Sequence, residues 1–500
     1  MYKGGKYKEG KTFFRGSDGD FYDGNRAYHD GIEKMIPRVV RYEKKSTIFD
    51  IMLTEDFDIY YDTLIGMGYK DVAIDGVSLD TPDESFSYIV SVRGVVYSIV
   101  IKVEPYNWIH IHNSDLLFEK VDKGRDFLLS YRRLKDEGIR CNTLSIAAGE
   151  LYRKEIGSDF SMIYPDCYRT KIKEDETAYD FLYSGYRGGW NFLKGDEGKE
   201  VKEGYVYDVN SLYPYIFAYY PMPSGSPEYR EGTPSKTVAK LANAGKVFLM
   251  ARIEVDAYVV KDGYLPFIMS GPHGGVDTDG SGILVLTWEE LKLLKNHYRV
   301  SGVKYIDYLY FFTTKGVGKD FVRRHYQEKK STTDPVQRRI SKGILNYLIG
   351  GFSKKMVRMS LVKDSDGDWR VKKTESPGFS QMYIGCAVTS YARCKIVQDA
   401  QKNYDNFVYS DTDSLHLTKP AVGISIGDGI GQYKLEAEYT EGKYMKRKWY
   451  GYKTKDKMKL VTAGIPKDVT EKIQEKFFDH SVYDIMEDIY TYAEIALDEA

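Results

Sequence analysis

The chain has 500 residues and a formal net charge of −1, which excludes a protein held to nucleic acid by a basic average and leaves only local basic surface for that task. Its composition, 42% hydrophobic and 29% charged, fits a globular chain of roughly two to four domains. Cys141, Cys167, Cys386 and Cys394 show no CxxC or Cys/His pairing, which argues against a disulfide scaffold or structural zinc. No apolar run reads as a signal peptide or membrane span, so a cytoplasmic protein with no membrane contact is expected.

Residues 1–45 are polar and Gly-rich and read as a poorly ordered leader or the remnant of something larger. Strand and helix signals mix over residues 46–150. Two β-branched strands meet there at Arg93-Gly94, and an amphipathic helix runs to Gly138. A loop-rich stretch follows up to Gly204, then the buried strand YVYDV and the turn and helix NSLYPYIFAYY. Residues 220–316 alternate strands and turns, with a capping box of Thr287 and Glu290 opening a helix. Two helices come next, the second opening at Asp334-Pro335, a good N-cap and a good first helical residue. Asp366-Gly367 marks a hairpin. Residues 381–404 predict a long helix with Ile384, Ala387, Val388 and Tyr391 on one face. NFVYSDTDSLHLT predicts strand, tight turn, strand, and no internal repeat is present. Basic runs before residue 331 and near YMKRKWYGYKTKDKMK read on their own as solvated faces.

Two carboxylates, Asp411 and Asp413, stand at i and i+2 in a short turn between apolar strands. Such a pair repels unless a cation neutralises it, and hard divalent cations prefer carboxylate and phosphate oxygens. By itself the motif is as readily a plain Asx-rich turn. Asp208 ends another apolar strand just before a helix start, where a carboxylate and exposed amides can hold a metal and a polyphosphate together. The combination is more specific than its parts: two metals ~3.5–4 Å apart, bridged by such carboxylates, serve in-line phosphoryl displacement. Arg338, Lys342 and Asn346 fall at i, i+4 and i+8 on one helical face, where a triphosphate fits, although a solvated basic stripe looks the same.

These blocks, in this order, resemble the family B DNA polymerases. DVNSLYP is similar to motif A, KGILNYLIGGF to motif B and YSDTDS to motif C. YRGGW (186–190), TSYAR (389–393) and KWY (448–450) resemble motifs of the protein-primed branch found in bacteriophages and linear plasmids. The resemblance implies two Mg²⁺ or Mn²⁺ ions at Asp208, Val209 and Asp413, with Asp411 assisting catalysis. It implies Ser211, Leu212 and Tyr213 at the incoming nucleotide, Tyr213 as the gate against a ribose 2′-hydroxyl, with Lys330, Arg338, Lys342 and Asn346 as further contacts. Tyr186, Arg187, Gly188, Gly189, Thr389 and Arg393 would touch template or primer backbone, and Lys448 and Tyr450 would hold the primer end.

The implied fold is α+β, a right-hand polymerase of palm, fingers and thumb behind a truncated exonuclease-like (ribonuclease H-like) domain. After the leader, that domain spans 46–180 and the start of the palm 181–219. A terminal-protein-region-1-like insertion covers 220–316, the fingers 317–355 and a region-2-like hairpin 356–378. The palm resumes over 379–440 and a shortened thumb follows over 441–500. Implied partners are template-primer DNA, dNTPs and a terminal protein, met by a monomer in a host cytoplasm. Two departures stand out. Motif B carries Tyr347 and Ile349 where Ser and Tyr are usual, with looser base selection as one consequence and compensation by Tyr347 as another. The first exonuclease carboxylates are missing: Asp18 and Asp20 lie in the leader, residues 57–69 match faintly, and Asp122 replaces the Tyr expected before Asp126. Proofreading is therefore expected to be lost. The alternative is a catalytically impaired relative that binds DNA or a terminal protein. A reverse transcriptase fits less well, since Thr412 separates the two aspartates.

Overall fold

The computed structural model describes residues 144–463 apart from 270–274, 354–355, 364–368 and 376–379, together with 133–134, 137–139, 474, 476–479 and the backbones of short strands between 13 and 108. The chain divides into one unit of residues 1–150, 328–343 and 493–500 and a second of 151–327 and 344–492.

In the first unit, β-branched runs form a five-stranded sheet in the order Arg38–Glu43, Ile48–Met52, Val95–Ile99, Ser87–Val92, Ala73–Val77. The two strands expected on either side of Arg93-Gly94 pair with each other, Val92 opposite Val95, while Arg93 and Gly94 lie outside the described residues. Asp18, Asp20, residues 57–69, Asp122 and Asp126 lie outside the described residues. Asp334 caps the helix Pro335–Phe352 by accepting from the Val336 amide at 2.9 Å, and Arg133 clamps its other oxygen at 2.6 Å.

The second unit is built on one antiparallel sheet. Its strands are β1 (Asn191–Leu193), β2 (Gly204–Val209), β3 (Phe407–Asp411), β4 (Ser414–Leu417) and β5 (Tyr433–Tyr439), ordered β1-β3-β4-β2-β5. A second sheet joins Lys199–Val201, Glu441–Lys446, Trp449–Lys453 and Met458–Thr462. Between the two sheets lies an aromatic core that includes Val206, Val408, Tyr409, Tyr444 and Tyr450. Many of the chain's 45 tyrosines are thus core residues whose hydroxyls bond internally, as Tyr444 donates to Tyr439 at 3.1 Å. A third sheet, from residues 221–315, pairs Pro221–Glu231, Lys304–Lys315, Val247–Val260 and Asp279–Thr287.

Helices α1 (Ala178–Gly185), α2 (Leu212–Tyr219), α3 (Trp288–His297) and α4 (Met382–Gln401) pack around these sheets. The stretch read as loop-rich instead holds α1 and the helix Leu144–Ile156. Thr177 and Asp180 form a capping box on α1, an Asp variant of the usual Glu or Gln signal. The helix Lys236–Asn243, capped by Ser235, also interrupts the region read as strands and turns. The reading of α4 as one-faced is corrected: residues 382–390 are all buried, so α4 is enclosed on every side along its first half. Val357–Lys363 and Trp369–Glu375 pair as expected, while Asp366 and Gly367 lie outside the described residues. Among the described residues no helix is long and apolar enough to cross a membrane.

Candidate active site

β2 and β4 are paired so that Asp208 stands opposite Ser414, and the Val209 amide donates to the Asp413 carbonyl at 2.9 Å. This pairing brings the end of one strand to the turn between β3 and β4. The turn is very tight: the Asp413 amide donates back to the Asp411 carbonyl at 2.7 Å, and Thr412 sits at φ 65°. Asp208, Asp411 and Asp413 line one cavity of about 200 Å³. Val209, whose amide is spent on Asp413, offers this edge only its carbonyl oxygen. Ser211, at φ 53°, turns the chain into α2, and Leu212 is buried beneath that helix. Burial raises the Tyr213 phenol above its usual range, and Asp413 and Asp411 act in the same sense, so the ring lies within electrostatic reach of the turn.

Burial, and after it the charge of Asp411, pushes the Asp413 carboxyl up to about 6. Lys448 answers that charge from the other sheet, its Nζ 3.2 Å from Asp411. Lys448 adopts φ 60°, and its amide donates to the Tyr409 hydroxyl at 2.8 Å. Tyr450 packs its ring 4.9 Å from that of Tyr409 and lines the same cavity.

Sequence reasoning missed Glu436, Lys459 and His416. Val206 pairs with Ala437 while Tyr207 pairs with Leu435, so Glu436 is the extra residue of a bulge in β5. Glu436 lines the cavity and holds Lys459 at 3.1 Å. The alternation of KLEAEY is visible in sequence, but a bulge that re-aims one side chain is not. His416 is buried beneath the cavity among tyrosine rings, its Nδ1 2.9 Å from the Tyr444 hydroxyl.

The fit to divalent cations rests on the donor set. Among the described residues no three His, Cys, Asp or Glu side chains gather closely enough to hold an ion by themselves. Neighbouring carboxylates, with Asp413 raised by burial and by the charge of Asp411, next to an open cavity suit Mg²⁺, which takes one or two protein carboxylates and completes its shell with water and substrate phosphates.

The expected DNA contacts divide. Tyr186, Arg187, Gly188 and Gly189 form a half-buried loop against the turn, where the Thr412 amide donates to the Trp190 carbonyl at 2.9 Å. Arg187 spends its guanidinium on main-chain carbonyls, including Met269 at 3.0 Å. Thr389 and Arg393, expected at the DNA, are only 2% and 3% exposed. Thr389 donates to Gly385 and Arg393 to the carbonyls of Arg187 and Gly188, because α4 is enclosed at both positions.

Arg338, Lys342 and Asn346 are all exposed, as one shared face requires. Lys330, Arg338 and Lys342 belong to the first unit and Asn346 to the second. Ile349 is 3% exposed and Tyr347 49%, so at motif B the aromatic side chain is the accessible one.

The structure resembles the phi29 DNA polymerase bound to primer-template DNA and incoming nucleotide, with a TM-score of 0.59 at 22% identity over 71% of this chain and 65% of that one. An orthorhombic crystal form of the same polymerase gives a TM-score of 0.60 over 73% of this chain and 68% of that one, also at 22% identity. In sequence, the DNA polymerases of Bacillus phages Nf and phi29 are each 31% identical, over 58% and 57% of this chain and 51% and 52% of their own length. A probable DNA polymerase of Agaricus bitorquis is 27% identical over 56% of this chain and 41% of its own. The chain spans about half the length of these phage relatives. The family model for DNA polymerase type B, organellar and viral, matches residues 137–424, more than half of the chain, and the protein belongs to that family.

Proposed function

We propose that the protein is a template-directed DNA polymerase that joins deoxynucleotides at the edge formed by Asp208 and the Asp411–Asp413 turn. The observation that carries the reading is the lining of one cavity by three aspartates from two distant stretches, with Tyr450 also in the lining and Lys448 paired to Asp411. On this reading the sheet β1–β5 is the palm, the exposed face of Arg338, Lys342 and Asn346 belongs to the fingers, and Lys448 and Tyr450 open the thumb. An exonuclease-like domain without proofreading precedes them.

Asp208 and Asp413, with the Val209 carbonyl, would hold two divalent ions, Mg²⁺ or Mn²⁺. When bound, those ions lower the pKa of the primer hydroxyl and neutralise charge on the departing pyrophosphate. The protein's own part is positioning. The pairing of β2 with β4 fixes the spacing of Asp208 and Asp413. Lys448 pairs with Asp411 at 3.2 Å and stands where a primer phosphate would lie. The amides at the start of α2, with Ser211 and Leu212, face the triphosphate. The Tyr213 ring closes the floor of the sugar pocket against a 2′-hydroxyl. Lys330, Arg338, Lys342 and Asn346 would bring cations and an amide to the phosphates. Tyr186 to Gly189 would guide the template strand. The insertion over 220–316 and the hairpin around Asp366-Gly367 would meet a terminal protein that supplies the priming hydroxyl in a host cytoplasm, with the polymerase acting as a monomer.

Primer extension with Mg²⁺, wild type against Asp413→Asn, tests the reading. Extension by wild type alone supports it, and equal extension by both overturns the assigned site. Binding of primer-template by a wild type that incorporates nothing would favour an impaired binding relative.

A further inference from the structure

Glu290 does more than cap α3. Its Oε2 accepts from the Thr287 amide at 2.9 Å and from the Thr287 hydroxyl at 3.1 Å, which completes the capping box. Its Oε1 serves Arg393, accepting from Nε at 3.1 Å and also from Nη2. Both side chains are buried, at 4% exposure for the Glu290 carboxylate and 3% for the guanidinium. A capping box needs no arginine, and a buried ion pair is weak evidence of stabilisation, because desolvation offsets much of the attraction. The remaining arm of Arg393 shows its use: Nη1 donates to the Arg187 carbonyl at 2.5 Å and the Gly188 carbonyl at 2.8 Å. The next residue, Gly189, lies so close to the turn that an added Cβ would meet Thr412 Cγ2 at 2.4 Å. Glu290, Arg393, the 187–188 carbonyls, Gly189 and Thr412 therefore form one unbroken line of contacts ending between the two catalytic-turn aspartates.

We propose that Glu290, a residue of the 220–316 insertion, is a positioning residue for nucleotide incorporation: it orients Arg393, which clamps the 187–189 loop and so holds the Asp411–Asp413 turn in place. This rests on the polymerase reading above. A carboxylate is required because two oxygens serve two sets of donors. In Glu290→Gln one oxygen must serve either the cap or Arg393, and the amide NH₂ faces the other set of donors.

The test uses the full chain as wild type, Glu290→Gln and Arg393→Lys. Arg393→Lys keeps a charge opposite Glu290 but has no fork to reach the carboxylate and both carbonyls. Circular dichroism selects folded variants, and single-turnover incorporation is measured against dNTP concentration. Hydrogen exchange of the Thr412 amide is followed without DNA. The expected result is a rate lower by roughly ten- to a hundredfold with little change in nucleotide KM, and faster Thr412 exchange, in each folded variant. Wild-type rates and wild-type exchange in either variant overturn the proposal. If Glu290→Gln fails to fold, Arg393→Lys decides alone; if both fail, Thr412 exchange in native wild type decides, since amide opening as slow as the β2–β4 core supports the clamp and opening at loop rates overturns it. Absence of incorporation by wild type would instead sink the polymerase reading.

Discussion

Two charged clusters in the second unit differ in a way that separates scaffold from site. Around Asp307, charges balance: Lys173 lies 2.7 Å away and Arg252 3.4 Å, and both cations also pair with Glu176. The Tyr229 hydroxyl adds a hydrogen bond at 2.9 Å. The consequence is that Lys173 holds its proton above the ordinary lysine range, chiefly through its bond to Asp307. At the β3–β4 turn the balance fails. Asp411 has Lys448, but Asp413 is driven up to about 6 by burial and by Asp411. A cluster that satisfies itself ties elements together, whereas one left with excess negative charge is arranged for something that arrives later.

The comparison is broken most directly by neutralising one acid in each cluster. Asp413→Asn should lower nucleotide incorporation on the order of a thousandfold, since the proposed function makes Asp413 a metal-holding group. The same change should raise the melting temperature of the metal-free protein at pH 7. A carboxyl with a folded pKa of about 6 is ionised there at a cost of roughly 2–3 kcal/mol relative to an ordinary Asp, and Asn removes that cost. Asp307→Asn should do the reverse: about 3 kcal/mol of stability lost, because Lys173 and Arg252 keep their charges without the buried partner. A destabilised Asp413→Asn or a stabilised Asp307→Asn, read by thermal melting, would show that charge balance does not distinguish the two.

A weaker effect comes from His416, which lies under the unbalanced cluster. Burial lowers its pKa to about 3, and Lys459 acts in the same sense. The Tyr444 hydroxyl donates to Tyr439 and so accepts from Nδ1–H, which leaves the ring neutral with a buried Nε2 lone pair. The rings of Tyr409, Tyr450 and Tyr452 complete its surroundings. The unfolded histidine takes up a proton below about pH 6.5 while the folded one does not, so its contribution is intact above that value and declines as pH falls toward 3, by about 1.4 kcal/mol per unit. Asp413 works in the opposite sense, because its folded value is raised. The useful measurement is therefore a difference: between pH 6.5 and 5, wild type should lose about 2 kcal/mol more than His416→Gln in chelator. Parallel curves would mean that His416 is hydrated.

What the sequence made legible follows from how local each signal is. The strand ends bearing Asp208 and Asp411, the Thr287–Glu290 box and the Asp334 cap depend on neighbours a few residues away, and they stand as read. The enclosure of α4 depends on two sheets and three helices that no window contains, so the burial of Thr389 and Arg393 was not legible. Glu436 was missed because its aim depends on a register shift between β2 and β5.

The smallest effect is the most local probe of the turn. Gly189→Ala places a methyl group 2.4 Å from Thr412 Cγ2 and 2.5 Å from its Oγ1, and the main chain on both sides is already tied down. The turn must shift by some tenths of an ångström, and incorporation should fall about tenfold, near 1.4 kcal/mol of transition-state positioning. Thr412→Gly removes all three atoms that the methyl would meet and relaxes a residue held at φ 65°, where glycine pays no steric cost. The double variant should therefore recover most of the loss while each single variant stays impaired, Thr412→Gly because a looser turn holds Asp413 less firmly. Thermal melting supplies the control, since Gly189→Ala should leave stability within about 1 kcal/mol. Simple addition of the two rate losses in the double variant would mean that Gly189 and Thr412 act separately, and that the loop does not set the position of the aspartates.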